Sequence, residues 1–600
     1  MALTHQSPPV RIGMLRHRDI VRCRIEGKCR LEDAQGHALA TVDDESGQLE
    51  FRPESAKPAV VQWRSVLCKS PTPHEAEEFA SGLPALSGGQ RWETEVVGTT
   101  WPTPDGGQLD NREWWVHSPP FPTAEACRAW CLEKGVMTLV INPSVRHPPQ
   151  GAITCHAGGI TSTGLTTGGL LRLVPIDSRG SRVALENVIV GVGFHWQHLE
   201  TQWLRGSVEV QLDDEGKLTV VNELPLEEYL MALVGSEMKA QMPHELLKVQ
   251  AVCARNTTLA TAGKHHRGEG FDLCADDHCQ CYRGSTRETA ESREAALSTW
   301  GEVLVAGDRL CDTRYSKICG GIAEAAHSVW GGPKISYMIP ISDFPHEAPD
   351  RVLPPINTEE KARDFVTSSP PAFCNCGARE VPEYLKYAAK YFRWTEELTR
   401  EEIENLLARW PERRVGEVRE LVPRVRGASG RIEELAVLGS EGECVIHREL
   451  PIRQALSPTT LYSSCFVVDH AHEPDGRLRA VTLHGAGWGH GAGMCQIGAA
   501  VMALEGYTHD QILAHYFVGT SLRLSHDRPT NWGAMLALLD DGEFAGHDRC
   551  WERTNCYEVV GCPVYEKLVG AEKGYVKNAE RTEMYLDCPE FKRQKSEGVV

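Results

Sequence analysis

A single glutamate at the end of a predicted helix has the surroundings that acid catalysis needs. Residues 224–238 read Leu-Pro-Leu-Glu-Glu-Tyr-Leu-Met-Ala-Leu-Val-Gly-Ser-Glu-Met, with the proline suited to a first helical turn. Leucines recur at helical spacing and predict a face toward the core, which Glu237 shares. A carboxylate there must be hydrogen-bonded, paired or kept protonated by desolvation. A protonated carboxyl near neutral pH suits a general acid, whereas the competing interpretation is a helix-end glutamate in solvent.

A second group of residues consists of soft ligands that could bind a metal ion. Cys274, His278, Cys279 and Cys281 fall within one short segment, and thiolate and imidazole ligands suit a tetrahedral zinc ion. Four ligands this close in sequence rarely all reach one ion, because the backbone cannot wrap so tightly. Free thiols are the alternative interpretation. Three or four soft ligands would leave little room for a reactive water, so we expect a structural metal.

Composition narrows the classes of protein and partner. The 600 residues are 41% hydrophobic and 24% charged, which is typical of a globular chain, and the length suggests about four domains. The formal net charge of −19 argues against nucleic acid or an anionic membrane as a partner. No apolar run is long enough for a transmembrane helix, and residues 1–13 contain no apolar signal-peptide segment. Without such a signal, the 21 cysteines indicate thiols and metal sites rather than disulfides.

The elements that must position these groups predict a mixed α+β fold. Alternating segments predict strands over much of residues 10–70 and at residues 206–212, whereas helices are predicted from Thr123 to Gly135 and from Pro243 to Gly263. We expect helices to border a substrate groove. We predict six regions: a β-rich N-terminal domain (1–83), a linker and small α/β region (84–182), a first part of the catalytic domain (183–345), a helical insertion (346–415), a second part of the catalytic domain (416–530) and a small Cys-rich tail (531–600).

Six short motifs occur in a characteristic order. They include residues 222–230 followed by Ser236-Glu237-Met238, residues 248–255, residues 272–282, Tyr315 with Cys319-Gly320-Gly321, and the glycine-rich residues 487–499. This series resembles the SpoIID/LytB family of cell-wall proteins over roughly residues 205–345 and 420–525. Residues 193–196, Gly-Phe-His-Trp, also resemble long members of that family.

The resemblance implies a function and a location. SpoIID-type proteins are lytic transglycosylases that cut peptidoglycan glycan strands, with a preference for strands stripped of stem peptides, and LytB-type members enhance an amidase. Glu237 stands at the position of the catalytic glutamate of the family. The expected partners are peptidoglycan glycan strands and other cell-wall hydrolases. Sporulation and general wall remodelling are both open, and the implied cell-envelope location conflicts with the absence of a predicted signal peptide.

Four further residues are candidates for substrate binding. Arg255 lies on an alanine-rich helix face, where it either snorkels or points at an acceptor in a cleft. Tyr315 and Gln496 occupy family motif positions and could bind sugar hydroxyls, although Tyr315 could equally be structural. His490 lies among the alternating glycines at 485–493, which could let the backbone approach a sugar, and a structural histidine is the alternative. We expect Glu237, Tyr315 and His490 to line one groove that is open at both ends.

Two metal sites are predicted. The family zinc site implies Cys274 and Cys279 plus one histidine, which could be His266, His265 or His278. In the tail, Cys550, Cys556, Cys562 and Cys588 could hold a second metal ion or an iron–sulfur cluster.

The chain departs from the family pattern close to the expected cleft. Residues 316–318, Ser-Lys-Ile, replace a more usual His-Ser-Thr, Cys495 replaces a common serine, and Ile497 replaces an aromatic residue. These departures favour a rival hypothesis, in which the protein is a non-catalytic wall-binding protein or amidase enhancer on the same fold.

Overall fold

The predicted mixed α+β class with a β-rich N-terminal part is confirmed. A computed structural model describes residues 7–84, 92–136, 138–157, 160–164, 169–177, 180–191 and 197–527. Within these ranges, no helix is both long and apolar enough to cross a lipid bilayer. Residues 193–196 and the four tail cysteines lie outside the described residues.

Two large sheets dominate the N-terminal half. In spatial order, the seven-stranded sheet contains Leu273–Cys274, Pro9–Arg18, Leu218–Pro225, Ser207–Leu212, Leu170–Pro175, Lys28–Asp33 and Ala38–Asp43. The six-stranded sheet contains Ile160–Gly164, Gln150–Ala157, Gln48–Lys57, Val21–Glu26, Arg182–Val190 and His198–Leu204. Pro9–Arg18 pairs antiparallel with Leu218–Pro225, so the N-terminal strands and the predicted catalytic region share a sheet. The boundary drawn at residue 83 therefore does not separate two sheets.

Two smaller sheets contain strands of the region that was predicted as a linker and small α/β region (84–182), together with strands from other parts of the chain. The four-stranded sheet contains Val140–His147, Val60–Ser70, Glu113–His117 and Glu93–Val97. The five-stranded sheet contains Ser521–Leu524, Glu302–Ala306, Arg309–Leu310, Gln108–Asp110 and Thr100–Pro102. Residues 84–112 are rich in Gly, Pro and Thr, which predicts a loop or linker, but short segments within these residues pair with strands outside them.

The C-terminal half contains two three-stranded sheets and two short strand pairs. The first sheet contains Arg393–Thr399, Leu478–Ala486 and Phe466–His472, and the second contains Val418–Arg426, Ile432–Gly439 and Gly442–His447. The pairs are Tyr315–Ser316 with Met494–Cys495 and Ile322–Ala323 with Ile341–Ser342. The prediction of an all-helical insertion was wrong at Arg393–Thr399, because Leu478–Ala486 pairs with this segment along its whole length.

The predicted helices are confirmed close to their predicted ends. The helices span Pro73–Ser81, Ala124–Lys134, Leu226–Glu237, His244–Thr261, Ala290–Ser298, Ala326–Trp330, Glu359–Thr367, Glu383–Lys386, Ala389–Phe392, Arg400–Leu407, Glu449–Ala455, Gln496–Leu504 and His509–Tyr516. At Ala124–Lys134 the Thr123 side chain accepts the N-terminal hydrogen bond, and Gly135 ends the helix with a left-handed φ of 65°.

The Leu226–Glu237 helix, here called the glutamate helix, connects two hydrophobic cores. Its Leu226, Leu230 and Leu233 pack into the core of the N-terminal sheets. Val234, one turn before its C-terminus, packs into the second core, which contains much of His244–Thr261 and the residues around Met494. The helix also packs against the His244–Thr261 and Ala290–Ser298 helices. Glu237 therefore lies where the two cores meet.

Candidate active site

The carboxylate of Glu237 is held at one oxygen only. Oε1 accepts a hydrogen bond from the Cys281 backbone N–H at 3.0 Å and one from the Tyr315 hydroxyl at 3.2 Å. The side chain is partly exposed, and nothing in the described part of the chain donates a hydrogen bond to Oε2. The carboxyl is thus hydrogen-bonded within the protein at one oxygen and belongs to a side chain that is partly exposed.

The surroundings of Glu237 favour its protonated form. Burial is the largest influence and raises the pKa of this carboxyl above its ordinary value, and the Asp277 carboxylate adds to the rise. The Cys281 N–H, the Lys317 ammonium and the Tyr315 hydroxyl act in the opposite direction, and burial prevails. A carboxyl with a raised pKa is a suitable proton donor near neutral pH.

Tyr315 connects Glu237 to a fixed amide. Its hydroxyl is 3.1 Å from Oε1 of Gln280, about the same distance as from Glu237. The Gln280 side chain is buried, and its Nε2 donates to the Thr258 hydroxyl at 2.9 Å. This bond assigns Oε1 as the acceptor that faces Tyr315. Burial raises the pKa of Tyr315 well above its ordinary value, so the hydroxyl keeps its proton.

His490 reaches this site through the backbone of Tyr315. Its Nδ1 accepts the Ala492 N–H at 3.1 Å, so Nε2 carries the proton and donates to the Tyr315 carbonyl at 2.8 Å. Burial, with further repulsion from Arg314, lowers the pKa of His490 to about 3. The imidazole is therefore neutral at physiological pH, and its two hydrogen bonds join the backbone of Tyr315 to that of Ala492. Glu237 and His490 therefore both contact Tyr315, Glu237 at the hydroxyl and His490 at the backbone carbonyl.

The glycines before and after His490 let the backbone approach protein rather than leave space for a sugar. Gly487 has a φ of 83°, and a Cβ there would lie 2.6 Å from the Ile318 carbonyl oxygen. Gly493 has a φ of 69°, and a Cβ there would lie 2.0 Å from the Arg314 carbonyl oxygen. Gly487 and Gly493 are therefore packed against the backbone of residues 314–318, a close approach to protein that the sequence pattern did not indicate.

Two predicted substrate-binding residues lie in the interior. Arg255 is fully buried and forms a bidentate ion pair with Glu227, at 2.7 Å and 2.6 Å. Its third nitrogen donates to the Glu302 carbonyl at 3.0 Å. Gln496 is also buried, and its amide donates to Gln250 at 3.1 Å. Neither arrangement leaves the side chain free to bind a sugar, and the pairing explains why an arginine tolerates an alanine-rich face.

The predicted cysteine–histidine cluster is present. His266, Cys274, His278 and Cys279 place one potential ligand atom each within 4.8 Å of one another. The Cys279 sulfur lies 3.3 Å from Nε2 of His266 and 3.3 Å from Nδ1 of His278. A tetrahedral zinc with thiolate and imidazole ligands places such atoms about 3.6 Å apart. These residues therefore fit a metal ion, which the family resemblance also implied.

The cluster has the outer contact that is common at metal sites. Nδ1 of His266 lies 3.2 Å from the Glu269 carboxylate, so Nε2 is the nitrogen that faces the cysteines. Carboxylates that orient ligand histidines in this way raise ligand basicity and metal affinity. His265, the remaining candidate, lies 3.6 Å from the Cys279 sulfur.

The cluster and Glu237 share one short loop. Cys279 belongs to the cluster, Gln280 faces the Tyr315 hydroxyl, and the Cys281 N–H donates to Glu237. Whatever fixes Cys279 consequently fixes two groups that surround the carboxyl. Sequence spacing showed the cysteines but not this connection.

Three residues near the site were not predicted from the sequence. Gln280 and Lys317 reach the site only through packing between segments that are distant in sequence. The departure from the family pattern at residues 316–318 was the one sequence signal that pointed to Lys317. Burial lowers the pKa of Lys317, and attraction to Glu237 opposes this effect. Trp330 is 48% exposed, and its ring centre lies 4.9 Å from that of His490.

These features define a class: a mixed α+β protein with one partly exposed carboxyl beside a thiolate–imidazole cluster. A family model described as Stage II sporulation protein, SpoIID, matches residues 214–305, and one described as a domain of unknown function, DUF8618, matches residues 324–493. The chain therefore contains a domain of the SpoIID/LytB family, and the resemblance predicted from the motifs is confirmed.

Curated relatives extend beyond that segment. An uncharacterized protein of Brachyspira hyodysenteriae is 24% identical over 321 residues, which cover 53% of this chain and 73% of the relative. The Stage II sporulation protein D of Bacillus subtilis is 23% identical over 318 residues, covering 50% and 75%. The amidase enhancer of Bacillus subtilis is 23% identical over 306 residues, covering 49% and 40%. The relatives that carry functional names are linked by those names to sporulation and to an amidase.

Proposed function

We propose that the protein is a lytic transglycosylase that cleaves peptidoglycan glycan strands at the cell envelope, with Glu237 as general acid and base. The observation that carries the proposal is the Glu237 carboxyl, which has a raised pKa and an oxygen that accepts no hydrogen bond from the described residues. The substrate class is the one that the resemblance to the SpoIID/LytB family implies, and the family match over residues 214–305 supports it.

The proposed reaction needs one carboxyl group. Glu237 donates its proton to the glycosidic oxygen as the C1–O bond breaks, and the leaving sugar departs as an alcohol. The resulting carboxylate then takes the proton of the C6 hydroxyl of the same sugar, whose O6 bonds to C1 and closes a 1,6-anhydro ring. No water is consumed and Glu237 ends protonated. A second carboxylate in the manner of the glycosidases that act through hydrolysis is therefore not required.

Neighbouring groups have defined tasks in this scheme. Tyr315 stabilises the carboxylate form of Glu237 through its hydroxyl, and the Cys281 N–H does the same through the backbone. The exposed face of Trp330 offers a surface on which a sugar ring can pack. A zinc ion at the Cys274–Cys279 cluster would hold the loop that carries Cys281, with His266 and His278 as further ligands.

The decisive experiment is product analysis. The purified chain is incubated with glycan strands stripped of stem peptides, and mass spectrometry distinguishes anhydro ends from reducing ends, which are heavier by one water. Glu237→Gln keeps the shape but cannot donate the proton, so cleavage should fall about 10²–10⁴-fold while glycan binding remains. Glu294→Gln, at a carboxyl that is 62% exposed, is the matched control and should cleave normally. Cleavage by Glu237→Gln at the wild-type rate would exclude the assignment.

A second candidate function follows from the relative named as an amidase enhancer. On this hypothesis the same surface binds glycan without cutting it and increases the activity of a wall amidase. The two functions are separated by assaying glycan cleavage without amidase and amidase activity with added chain. Enhancement that survives Glu237→Gln, together with no anhydro product from the wild type, would favour the enhancer.

A further inference from the structure

A second cluster of metal-ligand residues lies within the core beside the candidate active site. Cys319, Asp343, Cys374 and Cys495 place one sulfur or carboxylate oxygen each within 4.8 Å of one another, and all four side chains are buried. They come from four separate segments of the chain, spanning 176 residues between Cys319 and Cys495. Neither the family match nor the motif analysis assigned a role to this group.

The spacing of the atoms fits a single tetrahedral ion. The sulfurs of Cys319 and Cys374 are 3.6 Å apart, and the Cys319 sulfur is 3.4 Å from Oδ2 of Asp343. Zinc bonds of about 2.3 Å to sulfur and about 2.0 Å to oxygen would set these separations at about 3.8 Å and 3.5 Å in a tetrahedron. A disulfide would need sulfurs about 2.05 Å apart, so the observed spacing suits ligands of one ion better than a covalent pair.

The buried Asp343 carboxylate would be stabilised by a bound cation. The Asp343 carboxylate is fully buried, and its hydrogen-bond partners in the described ranges are the neutral groups of Tyr516, Cys319 and Cys374. It accepts hydrogen bonds from the Tyr516 hydroxyl at 2.6 Å and from the Cys374 N–H at 3.1 Å, so both oxygens are oriented. An ionised carboxylate buried without a countercharge is costly, and a divalent ion between it and three thiolates would supply that charge.

Two of the three sulfur atoms accept hydrogen bonds from backbone N–H groups. The Cys495 sulfur accepts the Cys319 N–H at 3.2 Å and the Gly498 N–H at 3.4 Å. Cys495 is also the N-cap of the nine-residue Gln496–Leu504 helix, whose positive end favours a negative charge. The Cys319 sulfur accepts the Gly321 N–H at 3.4 Å. Such backbone contacts to sulfur tune metal sites.

We propose that Cys319, Cys374, Cys495 and Asp343 bind a second zinc ion in a closed, structural site. Four protein ligands leave no open position for a reactive water. The ion would tie the residue 372–378 turn and the segment after Ile341–Ser342 to the paired strands Tyr315–Ser316 and Met494–Cys495. It would thus stabilise the region from which Tyr315 reaches Glu237. This proposal does not depend on the proposed enzymatic function.

The test compares zinc content among variants of the full-length chain by mass spectrometry of the metal. Cys319→Ser, Cys374→Ser should lose about one zinc per chain relative to the wild type, and Cys274→Ser, Cys279→Ser should lose a different one. Combining the four substitutions should remove both ions, whatever the tail binds. The matched control is Cys253→Ser, Cys465→Ser, which alters two buried thiols outside both clusters and should retain the wild-type content.

Wild-type crystals keep the proposal testable if a variant fails to fold. Anomalous scattering measured on both sides of the zinc edge should give a peak between Cys319, Cys374, Cys495 and Asp343. A folded Cys319→Ser, Cys374→Ser protein with unchanged zinc, or wild-type crystals with no anomalous peak there, would overturn the second site.

Discussion

The Tyr315 hydroxyl lies 3.2 Å from Oε1 of Glu237 and 3.1 Å from Oε1 of Gln280, so one proton serves two acceptors. When Glu237 is ionised, Tyr315 donates to it. When Glu237 is protonated, the hydroxyl is free to donate to the fixed Gln280 amide instead. The hydrogen bond to Glu237 thus strengthens as the carboxyl releases its proton, which is the property expected of a group that helps an acid act.

Tyr315→Phe tests this relationship. A hydrogen bond to a charged group contributes about 1.5–3 kcal/mol, so kcat should fall about tenfold to a hundredfold with little change in glycan binding. The hydroxyl lowers the pKa of Glu237, so its removal should also move the alkaline limb of the pH–rate profile to higher pH. A profile identical to the wild type would show that the hydroxyl has no part in proton transfer.

The pH dependence of cleavage should follow the charge at position 317. In the proposed mechanism the reaction needs protonated Glu237, whose pKa is raised, so cleavage should fall as pH rises through that pKa. The Lys317 ammonium lowers the pKa of Glu237, so Lys317→Met should shift the alkaline limb to higher pH. Lys317→Arg retains the charge and serves as the control. A limb that moves to lower pH in Lys317→Met would contradict the sign.

Metal affinity at the cysteine–histidine cluster should depend on Glu269. This carboxylate orients His266 from 3.2 Å, and loss of such an outer contact typically costs about 10–100-fold in affinity. The Glu269→Gln protein should therefore lose its zinc to a competing chelator at a lower chelator concentration than the wild type does. Zinc release would also reduce cleavage, because the loop through Cys281 donates to Glu237. Equal chelator resistance in both proteins would remove Glu269 from the site.

The ion pair between Arg255 and Glu227 should matter for folding rather than for glycan binding. Removing one partner of a buried pair costs about 3–5 kcal/mol, so Arg255→Leu should lower the free energy of unfolding by that amount. The double variant Arg255→Leu, Glu227→Leu should recover part of the loss, because it leaves no buried lone charge. Denaturant unfolding measures both. An Arg255→Leu protein of wild-type stability with weakened glycan binding would instead restore the substrate-binding hypothesis.

The same pair predicts a loss of stability in acid. Although burial acts in the opposite direction, attraction to Arg255 lowers the pKa of Glu227 to about 2. A carboxyl with a lowered pKa stabilises the fold at pH values above the unfolded-state pKa of about 4.3, and this stabilisation disappears as pH falls toward 2. The acid-induced part of unfolding should be smaller in the double variant.

Local sequence signals predicted the elements that depend on local chemistry. The glutamate helix, the Ala124–Lys134 helix with its caps and the His244–Thr261 helix all follow from apolar spacing and end signals. The strand Arg393–Thr399 did not, because its only evidence is the pairing with Leu478–Ala486, more than eighty residues further along the chain. Arg393–Thr399 lies in a charged, aromatic segment between helices, and its sequence alone predicts a helix. The strand becomes predictable only when its pairing with Leu478–Ala486 is known.

The candidate site shows the same division. Glu237 and the cysteine–histidine cluster were visible because each is a local pattern. The position of Arg255 depended on Glu227, 28 residues earlier, and nothing within the alanine-rich stripe distinguishes a buried pair from a cleft. Gln280, Lys317 and the Cys319–Cys495 cluster are assembled by packing between distant segments, and spacing carries no information about such distances.

The parallel pairing of Tyr315–Ser316 with Met494–Cys495 has a consequence for how the site comes into existence during synthesis. The ribosome makes Glu237 and the cysteine–histidine loop early, but Tyr315 gains its strand partner only after residue 495 has left the exit tunnel. A nascent or prematurely terminated chain would then carry the acid without its hydroxyl neighbour in place. If the proposed function is right, chains that end before residue 495 should therefore cleave glycan more slowly than the full chain.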